Sequence, residues 1–189
     1  VSRVYLGVHF ISDVVAAWVV GGGLYWMFGR VEKDLTNWLN TLGLSEKFLV
    51  ALGMTLALGA GGLGIRSLVA GAADPPSWVP HSLTARNWAG LSRLIGEFFG
   101  AAAGIILARR WAQFETGGAW WKRIVAWAYA VLGAWVIREF FQTVPSLASE
   151  ALQLVVSFLH GVLFNGWSLF IAPWILLEAG WLSQGPDDP

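Results

Sequence analysis

Long apolar runs alternate with short polar stretches along the chain, on the scale of about 20 residues that a helix needs to cross a bilayer core. Such runs cover residues 4–28, 48–69, 91–107, 119–137 and 152–177, so the pattern predicts five spanning helices. The first carries His9, Ser12 and Asp13 near its start, and the last is interrupted by His160, Asn165 and Pro173. Between the first two runs, Val31, Leu35, Trp38, Leu39 and Leu42 recur at helical spacing opposite Glu32, Lys33, Asp34 and Asn37. That spacing predicts a short interfacial amphipathic helix. In Asp74-Pro75-Pro76-Ser77-Trp78-Val79-Pro80 the prolines remove donors and restrict their predecessors, which predicts an exposed loop or joint. Gly96, Gly100 and Gly104 form two overlapping small-xxx-small spacings, a face expected to pack on another helix, and Gly59, Gly61 and Gly62 permit close contact or local unwinding.

The expected fold is therefore all-α: an integral membrane helical bundle of about five transmembrane helices plus one short interfacial amphipathic helix. Residues 1–30 form its first helix, residues 31–47 an amphipathic linker, and residues 48–189 a region of four further helices.

Composition strengthens the membrane reading. Of 189 residues 56% are hydrophobic and only 13% charged, against about 25% charged in soluble domains. Thirteen Trp suit the aromatic belts at the two membrane surfaces. Twelve Lys and Arg balance twelve Asp and Glu, so no overall field attracts nucleic acid or an anionic surface, and binding must come from local sites. The absence of cysteine excludes disulfides, thiolate metal sites and cysteine nucleophiles, while leaving the redox compartment open.

If the five helices alternate in direction, seven cations (Arg30, Lys33, Lys47, Arg109, Arg110, Lys122, Arg123) fall on one side. Five (Arg3, Arg66, Arg86, Arg93, Arg138) fall on the other. The positive-inside rule puts the larger set in the cytoplasm and the start of the chain outside. Arg109, Arg110, Trp111, Trp120, Trp121, Lys122 and Arg123 bracket one short connection, where lipid head groups explain them better than stacked bases do. Membrane lipids are the expected partners, and nucleic acid is not.

The candidate chemistry lies in Ser2-Arg3-Val4-Tyr5-Leu6-Gly7-Val8-His9-Phe10-Ile11-Ser12-Asp13. On a helix His9 and Asp13 share a face, so the carboxylate can hold one imidazole nitrogen and leave the other toward a substrate. Arg3 can offer a planar fork of donors to a phosphate. A neutral imidazole is a competent nucleophile toward phosphorus, and the guanidinium can stabilise the transferring group. His9 and Asp13 taken alone are better explained as a satisfied polar pair, with Arg3 snorkelling to head groups. His160 and Asn165 must face protein or a cavity, and interhelical hydrogen bonding accounts for them better than ligand or pigment coordination. Arg93 and Glu97, four apart, are expected to form an ion pair, and Arg138 with Glu139 to mark a helix end. No metal or cofactor is expected.

The complete pattern, Ser-Arg, five residues, His, three residues, Asp, resembles the third signature of the type 2 phosphatidic acid phosphatase superfamily. The resemblance implies that Arg3 contacts the phosphate, His9 is the nucleophile and Asp13 orients it. Ile11 stands where members often carry Pro, which removes no catalytic group. Bacterial members with an extended C-terminal membrane region also resemble the stretch 94–115, ending in Ala108-Arg109-Arg110-Trp111-Ala112-Gln113-Phe114. They resemble Trp120-Trp121-Lys122-Arg123 and Ala172-Pro173-Trp174 as well.

The superfamily's first signature, Lys followed six residues later by Arg-Pro, and its second, Pro-Ser-Gly-His, do not occur in these residues. Pro76-Ser77-Trp78-Val79-Pro80-His81 lacks the Gly and the spacing, so His81 is given no catalytic role. The chain opens Val1-Ser2-Arg3 without Met, and further residues are expected before it. The 189 residues alone are not expected to turn over substrate, since hydrolysis needs a placed acid and a phosphate cradle.

Two functions follow as expectations. One is the C-terminal part of a membrane phosphatase that hydrolyses a lipid phosphate or diphosphate through phosphohistidine, with its active end outside a bacterial plasma membrane. The other is a catalytically silent, phosphatase-derived subunit of a larger membrane assembly that binds lipid or pigment. The corresponding partners are a phosphorylated lipid substrate, or further copies and subunits of a membrane complex.

Overall fold

A computed structural model describes residues 11–69, 71, 88–115, 119–143 and 149–185. Its elements are α1 (Ile11–Thr41), α2 (Leu44–Val69), α3 (Trp88–Trp111), β1 (Phe114–Glu115), α4 (Trp120–Thr143), α5 (Glu150–Gly166), a π-helical turn (Trp167–Ile171), α6 (Ala172–Glu178) and β2 (Ser183–Gln184). Five helical segments among the described residues are long and apolar enough to cross a membrane, with α5, the π turn and α6 forming the fifth. The chain divides at Gly43 into two separately packed units.

In the first unit the amphipathic stretch beginning at Val31 is not a separate element, because α1 runs unbroken through it for 31 residues. At 1.5 Å per residue the helix is about 46 Å long, well beyond the roughly 30 Å of a hydrocarbon core. Gly29 in its interior weakens but does not break the helix, since one such glycine costs only about 1 kcal/mol. Termination falls at Leu42-Gly43. There the Leu42 N–H bonds back to the Leu39 carbonyl at 3.2 Å, and the Thr41 hydroxyl donates to the Trp38 carbonyl at 2.7 Å. Both satisfy carbonyls that a helix end would leave open.

The second unit is organised by α3 against α5. The Ser92 hydroxyl donates to the Leu154 carbonyl at 2.7 Å. A Cβ added at Gly96 would overlap the Phe158 carbonyl, and one at Gly100 the Val162 backbone. One at Gly104 would meet Leu169 and, further off, Gly166. Residues four apart on α3 thus face residues four apart on α5 at a constant offset, and the two helices run parallel. On the α5 side a Cβ at Gly161 would overlap the Arg93 carbonyl. Gly96, Gly100 and Gly104 are all buried, as the small-xxx-small spacing predicts.

Helix α4 runs antiparallel to this pair. The Trp167 indole N–H donates to the Ala130 carbonyl at 2.9 Å, and the same ring covers Gly133, where a Cβ has no room. Helix α2 meets the start of α3: Leu91 fills the space over Gly62, and the Arg66 guanidinium lies 4.6 Å from the Trp88 ring centroid.

Pro173 explains the π turn. It has no N–H to give the carbonyl four residues back, and its ring would clash with that carbonyl. The Ala172 N–H instead bonds to the Trp167 carbonyl five residues back, so the wider turn absorbs the proline without a break.

After α6, Gly180 takes φ +72° and turns the chain. The final residues then pair antiparallel with the α3–α4 connection, Phe114 opposite Gln184 and Glu115 opposite Ser183. The Gly185 N–H adds a bond to the Gln113 carbonyl at 3.1 Å, and Trp181 meets Trp121 edge-on at 6.1 Å.

Burial follows membrane logic. Among the described residues, apart from Leu176, the buried residues outside the glycine face are small, namely Ala51, Thr55, Ala112, Ala126 and Ala172. Large apolar side chains such as Trp127, Leu132 and Leu159 lie on the outside. Lipid chains are as apolar as Leu, so close helix approach through small residues replaces hydrophobic burial as the source of cohesion.

Candidate functional site

Asp13 lies within α1, among its first described residues, so the His-x-x-x-Asp spacing runs into a long apolar helix. Arg3 and His9 lie outside the described residues, as does His81, and the side chain of Asp13 is likewise not described. The mutual geometry of Arg3, His9 and Asp13 therefore rests on their spacing in the sequence.

Within the second unit, polar side chains of α3 and α5 lie near one another, and an aromatic ring of α4 covers one of them. Arg93 Nε lies 3.2 Å from Glu97 Oε1 along α3, with the two side chains 49% and 31% exposed. At that exposure the pair contributes only a few tenths of a kcal/mol in water, about 0.3–0.5. Asn165 of α5 donates its amide to the backbone carbonyl of Glu97 at 3.2 Å, the interhelical bond expected of it. His160 stacks on Phe141 of α4, ring centroids 5.1 Å apart and planes parallel, and meets Phe164 edge-on. Arg93, Glu97 and Arg138 are the charged groups whose fields reach the imidazole.

Replacing Asn165 with leucine is expected to cost about 0.6–1 kcal/mol, the usual worth of an interhelical hydrogen bond in a membrane. Thermal unfolding in detergent would measure it. An unchanged transition would mean that the Glu97 carbonyl gains nothing from this donor.

These helices show why the cluster was hard to foresee. Arg138 does not mark the end of α4, which continues to Thr143. It is placed by Phe141, three residues further on and on the same face, which carries it toward His160. The 3,4-periodic spacing of Arg93 and Glu97 is visible in the sequence, but no spacing links them to position 160. Among the described residues, no group of three His, Asp or Glu is arranged to hold a metal.

Residues 92–184, from Ser92 on α3 through β2, match the family described as PAP2 superfamily phosphatase, transmembrane extension. The chain carries a PAP2 transmembrane extension. Neither a curated protein nor a solved structure matches the chain. The matched stretch runs from Ser92, which bonds to Leu154 of α5, to Gln184 in the strand pair, and so contains the whole glycine-lined contact of α3 with α5. With five membrane-length helices, a PAP2 extension of this kind makes the protein an integral membrane protein related to the PAP2 phosphatases.

Proposed function

We propose that the chain is the C-terminal part of a membrane phosphatase that hydrolyses a lipid phosphate or diphosphate through a phosphohistidine intermediate. The observation that carries the reading is the co-occurrence, in one chain, of the Ser-Arg-x5-His-x3-Asp pattern and a PAP2 transmembrane extension. In this reading Arg3 holds the phosphate, and the free imidazole nitrogen of His9 attacks phosphorus. A P–N bond forms as the ester P–O bond breaks. The leaving oxygen takes its proton from an acid of the kind the superfamily's second signature provides. Water then attacks the phosphohistidine, releasing inorganic phosphate and restoring the imidazole, while Asp13 keeps that imidazole in one tautomer.

A lipid-borne substrate suits a motif at the mouth of an apolar helix, because the head group can arrive from the interface while the tail stays in the bilayer. The positive-inside distribution supports an extracytoplasmic position for that mouth, and the resemblance to bacterial members with an extended C-terminal membrane region supports a bacterial plasma membrane as the setting.

Rapid denaturation of the intact gene product during turnover of a phosphate-labelled lipid tests the chemistry. An acid-labile, base-stable label on the peptide containing His9 is expected. Label on any other residue, or steady turnover with none trapped, would remove phosphohistidine from the mechanism.

The rival reading, a silent subunit of a larger membrane assembly, is suggested by the glycine-lined helix faces and by the large Trp side chains on the outside of the bundle. An inert but stably folded gene product would favour it.

A further inference from the structure

We infer that Arg93, Arg138 and His160 form a second phosphate-binding site, distinct from the Arg3-His9-Asp13 motif, that takes the anionic head group of a phospholipid. The inference does not rest on the phosphatase reading, and the site belongs wholly to the PAP2 extension.

Placement is the first argument. The carbonyl of Arg93 lies against Gly161, the residue after His160, so the backbone of α3 at Arg93 passes close to the histidine. Phe141 stacks on that imidazole from α4, and Arg138 lies three residues earlier on the same face, about 4.5 Å along the helix. Arginines of two helices thus lie near one imidazole on a third, and the charges of both reach it.

Depth is the second argument. Arg93 lies near the start of the apolar run 91–107, and Arg138 directly follows the apolar run 119–137. Both arginines therefore fall close to the same edge of the hydrocarbon-length stretches of their helices. The cluster consequently sits where lipid head groups meet the acyl chains.

Charge is the third. Glu97 neutralises one arginine, and among the described residues Arg138 has no ion-pair partner. Glu139, about 200° around the helix from Phe141, leaves that face. Arg93, Glu97, Arg138 and neutral His160 carry one net positive charge between them, in a setting that is costly for a charge without a counter-ion. Arginine forks match phosphate oxygens, and a neutral imidazole adds either a donor or an acceptor. A single negative phosphodiester completes the set. The matching chemistry could come from a lipid or from a soluble phosphate ester, and the depth of the site assigns it to the lipid.

The test uses the intact gene product in phosphatidylcholine nanodiscs containing a minor fraction of phosphatidylglycerol with a photoreactive group at head-group level. Labelled peptides are then mapped. Labelling is expected on segments containing Arg93, Arg138 and His160, and is expected to fall about tenfold in R93Q/R138Q. Labelling around Arg109, Arg110 and Lys122, at the opposite ends of α3 and α4, should stay constant and so report an intact fold. R138Q alone, a change at an exposed residue, should lower the signal severalfold if the double variant does not fold.

Labelling unaffected by these substitutions, or equal labelling by a photoreactive phosphatidylcholine, would overturn the site. Loss of labelling on adding millimolar glycerol phosphate would overturn the lipid assignment in favour of a soluble ester. Persistence against that competitor supports the lipid.

Discussion

Gly96→Ala is expected to destabilise the second unit by about 3 kcal/mol, the upper part of the usual range for overpacking a close contact. The added methyl would overlap the carbonyl of Phe158, a backbone atom that cannot rotate away, and only separation of α3 from α5 would relieve it. That separation would also loosen the Ser92 to Leu154 and Asn165 to Glu97 bonds, which bracket the same contact. Thermal or denaturant unfolding in detergent gives the measurement, with Gly59→Ala as its partner. A Cβ at Gly59 meets nothing within 4 Å, so there the better helix propensity of alanine should be neutral or favourable by up to about 1 kcal/mol. If both substitutions behaved alike, close approach of α3 and α5 through glycine would not be what holds this unit together.

His9→Ala is expected to lower lipid phosphate hydrolysis by the intact gene product about 10⁴-fold or more, because removing one member of a nucleophilic unit costs nearly as much as removing all of it. Asp13→Asn should retain the shape of the site but lose control of the imidazole tautomer, for a loss of about 10²–10⁴-fold. The two substitutions together should cost no more than His9→Ala alone, since an orienting carboxylate has nothing to act on once the imidazole is gone. Initial rates on phosphatidate and prenyl diphosphate in mixed micelles provide the readout. Hydrolysis by the His9→Ala protein at near the unsubstituted rate would dismiss His9 as the nucleophile.

Much of the architecture is written in the sequence because membrane crossing is a matter of length and apolarity. The runs at 48–69 and 91–107 lie inside α2 and α3, whose observed limits extend further, to Leu44 and to Trp88 and Trp111. The added residues include Glu46, Lys47, Trp88, Arg109, Arg110 and Trp111, which suit a helix end at an interface but interrupt an apolar count. The amphipathic stretch after Val31 has the periodicity of a surface helix. Periodicity, however, says which face is apolar and not whether the backbone pauses before it, and here it does not. Glycine spacing on α3 announced a packing face, yet nothing local identified α5 as its partner or showed that the two run parallel. The two-residue strand pair is too short to leave any alternation. Pro173 was visible as an interruption, but the extra residue that accommodates it lies upstream and has no signature of its own.

The candidate chemistry divides in the same way. His9 and Asp13 are legible because both sit on one helical face within a single turn, together with Arg3 just before it. The Arg93, Arg138 and His160 cluster is not, because it exists only once three helices have met.

The parallel pairing of α3 with α5 bears on how the protein is made. Two parallel neighbours cannot form a hairpin, so α4 must cross back before α5 can enter beside α3. During synthesis α3 therefore waits in the bilayer with its glycine face against lipid and Arg93 and Glu97 bonded only to each other. The most extensive contact of the unit closes only as the last segment inserts, and the final strand then fastens onto the connection that follows α3. A ribosome stalled or a chain cut before residue 150 would leave α3 without its partner, marking the unfinished product for membrane proteolysis.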